Sequence, residues 1–130
     1  MKIMYNGFEM EIILLTVAGS RLYGNSTETS DYDYRGIFIA DKATKLGLIG
    51  KIDQISEPKF FIELNEKYNL GLQDFSDCIV YELNRFAELC QDANPNILDT
   101  LCAPLDKMVY CNKKGKELID NKSLFISSKL

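Results

Sequence analysis

Apolar residues run from Ile12 to Leu15 and resume after Thr16 with Val17 and Ala18. So short a continuous run is that of a strand buried on both faces, and it predicts a central strand over Met10–Ala18. It is far too short to span a bilayer. Upstream, loose alternation around Asn6-Gly7 predicts a tight hairpin turn. Gly19-Ser20 ends the central strand, Arg21-Leu22-Tyr23 forms a short helical turn, and the polar stretch Asn25–Ser30 reads as a loop. Asp31–Ala40 reads as the second strand, with Tyr32, Tyr34, Ile37, Phe38 and Ile39 supplying β-propensity. Between Asp41 and Gln54 two glycines interrupt the pattern, leaving room for a short helix. Phe60–Leu64 reads as a third strand, Asn65-Glu66-Lys67 as a turn, and Tyr68–Leu72 as a returning strand.

Asp77–Tyr81 fits either a strand end or the start of a helix. From Glu82 to about Asp92 the spacing is helical, with Leu83, Phe86, Ala87 and Cys90 on one face. Asn94-Pro95-Asn96 stops that helix and Pro95 opens the next, Ile97–Leu101. A last helix is expected over Lys113–Asp120. The chain has no internal repeat, low-complexity tract or long linker.

Composition narrows the chemistry. A chain of 130 residues with 46% hydrophobic and 26% charged positions has the makeup of one ordinary globular domain. The four cysteines, Cys78, Cys90, Cys102 and Cys111, form no CxxC pair, and with no histidine in the chain they complete no zinc site. Reduced thiols packed as small hydrophobes are expected. The lack of histidine also removes Ser-His, Cys-His and other imidazole-base mechanisms. Catalysis within this chain must then rest on carboxylates, lysine, tyrosine or a hard metal ion. A net charge of −4 disfavours strong nonspecific binding to nucleic acid by this segment alone. No secretory leader opens the sequence, so the expected location is the cytoplasm, with no membrane contact.

The stretch richest in chemistry joins Gly19-Ser20-Arg21-Leu22-Tyr23-Gly24 to Ser30-Asp31-Tyr32-Asp33-Tyr34-Arg35-Gly36. On a strand, Asp31 and Asp33 project to the same face with α-carbons roughly 6.5 Å apart. Carboxylates so placed reach shared metal ions, and two magnesium ions about 3.5–4 Å apart can hold both oxygens of a phosphoryl displacement. Magnesium takes oxygen ligands, as a chain with acids and no histidine would supply. Gly19 allows a phosphate close to the backbone, and the Ser20 hydroxyl and neighbouring N–H groups can donate to it. Arg21 adds charge against a triphosphate. Arg35 shares the face of Asp33, where it can contact substrate or pair with an acid. Taken singly, a DxD is most often a solvated edge and a GS dipeptide is common. The basic run Lys113, Lys114 and Lys116 reads as a solvated helix face. Phe60, Phe61, Tyr68, Tyr81 and Phe86 read as core, leaving Tyr23 as the aromatic best placed to meet a base.

Together, GSRLYGNSTETSDYDYRGIFI resembles the signature of the DNA polymerase β-like nucleotidyltransferases, where a GS motif precedes a DxD strand. It is closest to the RNA-repair-pathway polymerase β branch, also called predicted nucleotidyltransferases, which carries GSRxxG, SDYDxRG and a later YELxxF…NPN. Tyr81-Glu82-Leu83-Asn84-Arg85-Phe86 and Asn94-Pro95-Asn96 match that later portion, so the resemblance covers about Ile12–Leu101.

The resemblance implies an α+β (mixed α/β) fold, a small mixed β-sheet flanked by helices. It implies that Gly19 and Ser20 bind the triphosphate, joined on the reading above by Arg21 and Arg35, and that Asp31 and Asp33, with Asp77 as a third metal ligand, hold two Mg2+ ions, for which Mn2+ can substitute. A third acid on a neighbouring strand helps activate the acceptor hydroxyl. Asp77, just ahead of the YEL segment, is the first choice and Asp74 the second; the plainer role for Asp77 is a helix cap. The family generally continues into a helical C-terminal region, whereas this sequence stops at Leu130. The expectation is thus one nucleotidyltransferase-like domain over 1–130 without that region. The implied activity is transfer of a nucleoside monophosphate from an NTP, ATP among them, to an RNA or DNA end, a protein or a small molecule. The alternative is a catalytically incomplete nucleotide-binding or regulatory module that needs a partner chain or a homodimer.

Overall fold

The computed structural model describes residues 1–18, 33–40, 52–73, 75, 77–92, 97, 100–102 and 107–121. Strand β1 (Lys2–Tyr5) and strand β2 (Phe8–Ala18) form the expected hairpin. Tyr5 pairs with Phe8, so the turn is Asn6-Gly7 alone, with φ of 52° and 85°. Positive φ at both central residues is what a two-residue turn matching the strand twist demands, and Asn-Gly meets it at the lowest cost.

Strand β3 (Asp33–Ala40) runs antiparallel to β2, from Ala18 opposite Asp33 to Met10 opposite Ala40. The ladder skips one residue: Ile12 pairs with Phe38 and Leu14 with Ile37, leaving Ile13 as a bulge. An inserted residue reverses the in–out parity of everything beyond it. Met10 and Ile12 before the bulge, and Leu15 and Val17 after it, therefore meet the same core cluster, while Ile13 and Leu14 both meet the other. That is why the run from Ile12 to Thr16 is at most 1% exposed.

Two-residue strand β4 (Gln54–Ile55) and helix α1 (Pro58–Tyr68) precede strand β5 (Asp77–Glu82). Strand β5 lies parallel to β3 and antiparallel to β4. Helix α2 (Leu83–Gln91) follows β5 directly, and strand β6 (Met108–Cys111) returns to pair with β2 before helix α3 (Lys113–Asp120). The described sheet has six strands in the order β1-β2-β3-β5-β4, with β6 beside β1 on the same edge of β2. Helix α1 covers one face through Phe60, Phe61 and Leu64. Helices α2 and α3 cover the other through Phe86, Cys90 and Leu118, joined by Ile97 and Leu101. The fold is α+β, a mixed sheet with helices on both faces, as expected of a polymerase β-like nucleotidyltransferase. Among the described residues no helix is long and apolar enough to cross a membrane.

One stretch differs from expectation. Phe60–Leu64 and Tyr68–Leu72 are not strands, and Asn65–Lys67 is not a turn; all but the last four residues lie in α1. A short apolar run such as Phe60-Phe61-Ile62 cannot by itself distinguish strand from helix. The wider spacing decides: Phe60, Phe61 and Leu64 are buried while Ile62 is 40% exposed. Pro58 suits the first helical turn, where its missing N–H costs nothing. The helix ends at Asn69 in the left-handed conformation, φ 52°, whose N–H donates to the Asn65 carbonyl at 2.7 Å. Of the segment 41–54, residues 41–51 lie outside the described residues, and Gln54 begins a strand rather than ending a helix.

Candidate functional site

Strands β3 and β5 are parallel and in register, so Asp33 stands beside Asp77 and Tyr34 beside Cys78. Neighbours of this kind lie about 4.8 Å apart at their α-carbons and project their side chains to the same face. Alternation along β3 buries Tyr34 and Phe38 in the α1 cluster and sends Ile37 into the α2–α3 cluster. The odd-numbered residues Asp33 and Arg35 thus share the face of Ile37, beyond the end of its helical cover. Ala18, the last residue of β2, pairs with Asp33 from the other side. The C-terminal end of one strand and the N-terminal ends of two others therefore converge on one edge of the sheet.

Asp77 is a strand residue, which settles the ambiguity of Asp77–Tyr81 in favour of β5. Nor does Asp77 cap the following helix. Glu82, 6% exposed, does so: its Oε2 accepts from the N–H groups of Asn84 at 2.8 Å and Arg85 at 3.3 Å. The Asp77 side chain is 48% exposed and held by Arg35. Arg35 Nη2 donates to Asp77 Oδ1 at 3.0 Å, while Nη1 donates to the carbonyls of Asp77 at 3.1 Å and Tyr34 at 2.8 Å. With the Arg35 side chain only 17% exposed, this fork is better shielded than a surface ion pair. Of the two roles the sequence suggests for Arg35, pairing with an acid is the one its geometry displays.

Asp33, Arg35 and Asp77 are thus brought together. Gly19, Ser20, Arg21, Asp31 and the alternative acid Asp74 lie outside the described residues, as does Tyr23. Among the described residues no three metal-binding side chains gather, Asp33 and Asp77 being two. Their chemistry nonetheless fits magnesium: two carboxylates on adjacent strands, the Asp77 side chain 48% exposed, with no imidazole in the chain to compete.

Sequence reasoning passed over Tyr34. Its ring is 2% exposed in the α1 cluster, and its hydroxyl oxygen accepts from the Gln73 N–H at 3.0 Å, on the segment leading into β5. The signal was present in the SDYDYRG alternation, which turns Tyr34 inward while its acidic neighbour faces out. Of the five aromatics read as core, Phe60, Phe61 and Phe86 are at most 2% exposed, whereas Tyr68 and Tyr81 are half-buried at the core's margin. Lys113, Lys114 and Lys116 are exposed on α3, and Lys114 pairs with Glu11. Cys78 and Cys90 are buried, Cys111 is half-buried, and Cys102 is exposed.

Comparison with known proteins bears on the family. An uncharacterized 38.9 kDa protein in the nrdC-mobD intergenic region of Enterobacteria phage T4 is 28% identical over 123 residues. That alignment covers 93% of this chain but 35% of the phage protein, so the chain spans about a third of that relative's length. No solved structure matches the chain. The family model described as the RNA repair pathway DNA polymerase beta family matches residues 1–130 throughout. With its acids aligned on adjacent strands and that match over its whole length, this chain belongs to the RNA repair pathway DNA polymerase beta family.

Proposed function

We propose that the chain carries a nucleotidyl-transfer site in which Asp33 and Asp77, with Asp31, hold magnesium against the phosphates of an NTP. Manganese, with the same preference for oxygen, can substitute. Gly19 and Ser20 follow Ala18, the residue paired with Asp33. There they donate backbone and hydroxyl hydrogen bonds to the triphosphate, and Arg21 adds charge to it. Magnesium held by these acids would offset the triphosphate's charge and supply Lewis-acid activation of its phosphates. Asp77 orients the acceptor hydroxyl and takes up its proton as the oxygen–α-phosphorus bond forms. The bond from the α-phosphorus to pyrophosphate breaks in the same displacement, and pyrophosphate leaves. The words RNA repair pathway in the family's description support taking an RNA end as the first acceptor to test, ahead of DNA ends, proteins and small molecules.

The reading rests on one observation: Asp33 and Asp77 are register neighbours at the site-bearing edge of the sheet. Incubation with each α-labelled NTP, magnesium and a panel of acceptors tests it. Label transfer is expected, falling by at least about a hundredfold in Asp33→Asn and Asp77→Asn. Transfer that survives Asp33→Asn would remove the proposal. The same experiment separates this reading from a second one. In that reading this segment is a nucleotide-binding or regulatory module completed by a partner chain, and it shows magnesium-dependent nucleotide binding without transfer.

A further inference from the structure

We propose that Tyr34 and Arg35 are positioning residues for Asp77, bracing the start of β5 from opposite faces of the sheet. The inference deepens the reading above, since it takes Asp77 as the third acid. Asp77 is the first residue of β5 and pairs with β3, whereas β4 joins β5 only at Val80 and Tyr81. In the segment before it, Leu70, Leu72 and Phe75 pack against the α1 cluster. Asn65 Oδ1 accepts from the Leu72 N–H at 3.0 Å, and the Tyr34 hydroxyl oxygen accepts from the Gln73 N–H at 3.0 Å.

Tyr34 works from the α1 face, locked by packing at 2% exposure. Arg35 works from the acid-bearing face, where one guanidinium engages both the backbone carbonyl and the carboxylate of Asp77. Contact with the carbonyl fixes where the residue sits, and contact with the carboxylate fixes its rotamer. A planar fork does both at once, which a lysine ammonium cannot. Both groups lie within two residues of Asp33, so the strand that supplies one acid also sets the position of the other. A displacement of even about 1 Å in such a group costs on the order of a hundredfold in rate. That gives the brace a catalytic purpose beyond stability.

The test compares Tyr34→Phe and Arg35→Lys with Tyr5→Phe, which removes a tyrosine hydrogen bond, to Glu57 at 2.6 Å, far from the acids. Amide exchange at Gln73 and Asp77–Ile79 is expected to rise about five- to tenfold in the two site variants and to stay unchanged in the control. The value of kcat should fall about tenfold in each, with KM for the NTP within about twofold, because the lost interaction orients a reacting group instead of binding substrate. Combined with Asp77→Asn, either substitution should cost nothing further. A positioning residue has no work left once its client is gone, whereas a purely structural defect would add.

Full additivity with Asp77→Asn overturns the proposal, as does a raised KM with unchanged kcat, which would mark Arg35 as a nucleotide contact. Unchanged exchange at Gln73 and Asp77 shows that no brace exists. By contrast, a fully active Asp77→Asn, or wild-type chain without transfer, overturns the proposed function and with it the brace's catalytic purpose. Raised exchange in the variants would then show that the brace holds β5 for structure alone.

Discussion

The carbonyl oxygen of Leu14 passes so close to Gly36 that a β-carbon built there would lie 2.4 Å from it, with Leu15 and Val80 side chains at 3.1 Å. The contact is with backbone beside the Ile13 bulge and cannot be relieved by turning a side chain. The last residue of SDYDYRG is therefore glycine for packing, whatever its neighbours do chemically. Gly36→Ala should cost about 1–3 kcal/mol, read as a lower urea midpoint at constant slope. Cys90 offers a second single-residue test. Burial, helped by the nearby Cys102, pushes its thiol from the ordinary 9.0 up to about 11. A raised value in the folded state means that stability is fully present below 9.0 and is lost as pH climbs toward 11. Denaturation midpoints should fall over that window and fall less in Cys90→Val. A thiol reagent at pH 8 should modify Cys102 in the folded protein and reach Cys78 and Cys90 only after unfolding.

At the scale of elements, the junction of β2 with α3 shows how a charged side chain joins two pieces of secondary structure. Asn112 caps α3, its Oδ1 accepting from the Gly115 N–H at 3.0 Å, while its Nδ2 donates to Glu11 Oε2 at 3.1 Å. Glu11 Oε1 accepts from Lys114 Nζ at 2.8 Å. That places a carboxylate where the helix N-terminus and a first-turn lysine both favour negative charge. The Lys114 hydrogen bond holds the Glu11 carboxyl below its usual range. Its contribution is therefore present above 4.5 and is lost as acid carries the pH down through the lowered folded value. Glu11→Gln should remove up to about 1 kcal/mol at pH 7 and lessen the fall in stability as pH drops below 4.5, followed by chemical denaturation at each pH. Helix α1 teaches the opposite lesson about locality. Phe60-Phe61-Ile62 resembles a strand until Leu64 and Tyr68 are counted with it, because the three-to-four-residue period emerges only over two turns.

For the molecule as a whole, the sheet is the shared wall of two apolar layers. Phe61 lies in one and Phe86 in the other, and both are fully buried. Phe61→Ala and Phe86→Ala should each cost about 3–5 kcal/mol, a large part of the stability usual for a domain, and circular dichroism during urea unfolding will measure it. The site belongs to the same scale. Asp33 and Asp77 stand 44 residues apart in sequence, yet they become neighbours through the parallel pairing of β3 and β5. A parallel pair needs a crossover, and here α1 lies within it.

Local chemistry made several features legible from the sequence. Asn6-Gly7 specifies its turn because both residues tolerate positive φ. The apolar run before Gly19 read as a central strand, and the spacing of Leu83, Phe86, Ala87 and Cys90 read as a helix face. The order of GS, DxD and YEL motifs was enough to indicate the family. Other features depended on contacts between distant segments, which no local pattern encodes. Among them are the bulge at Ile13, the grip of Arg35 on Asp77 and the support of Gln73 by Tyr34. Each requires two stretches of chain to meet in a particular register, and register is chosen by the packing of the whole sheet against its helices.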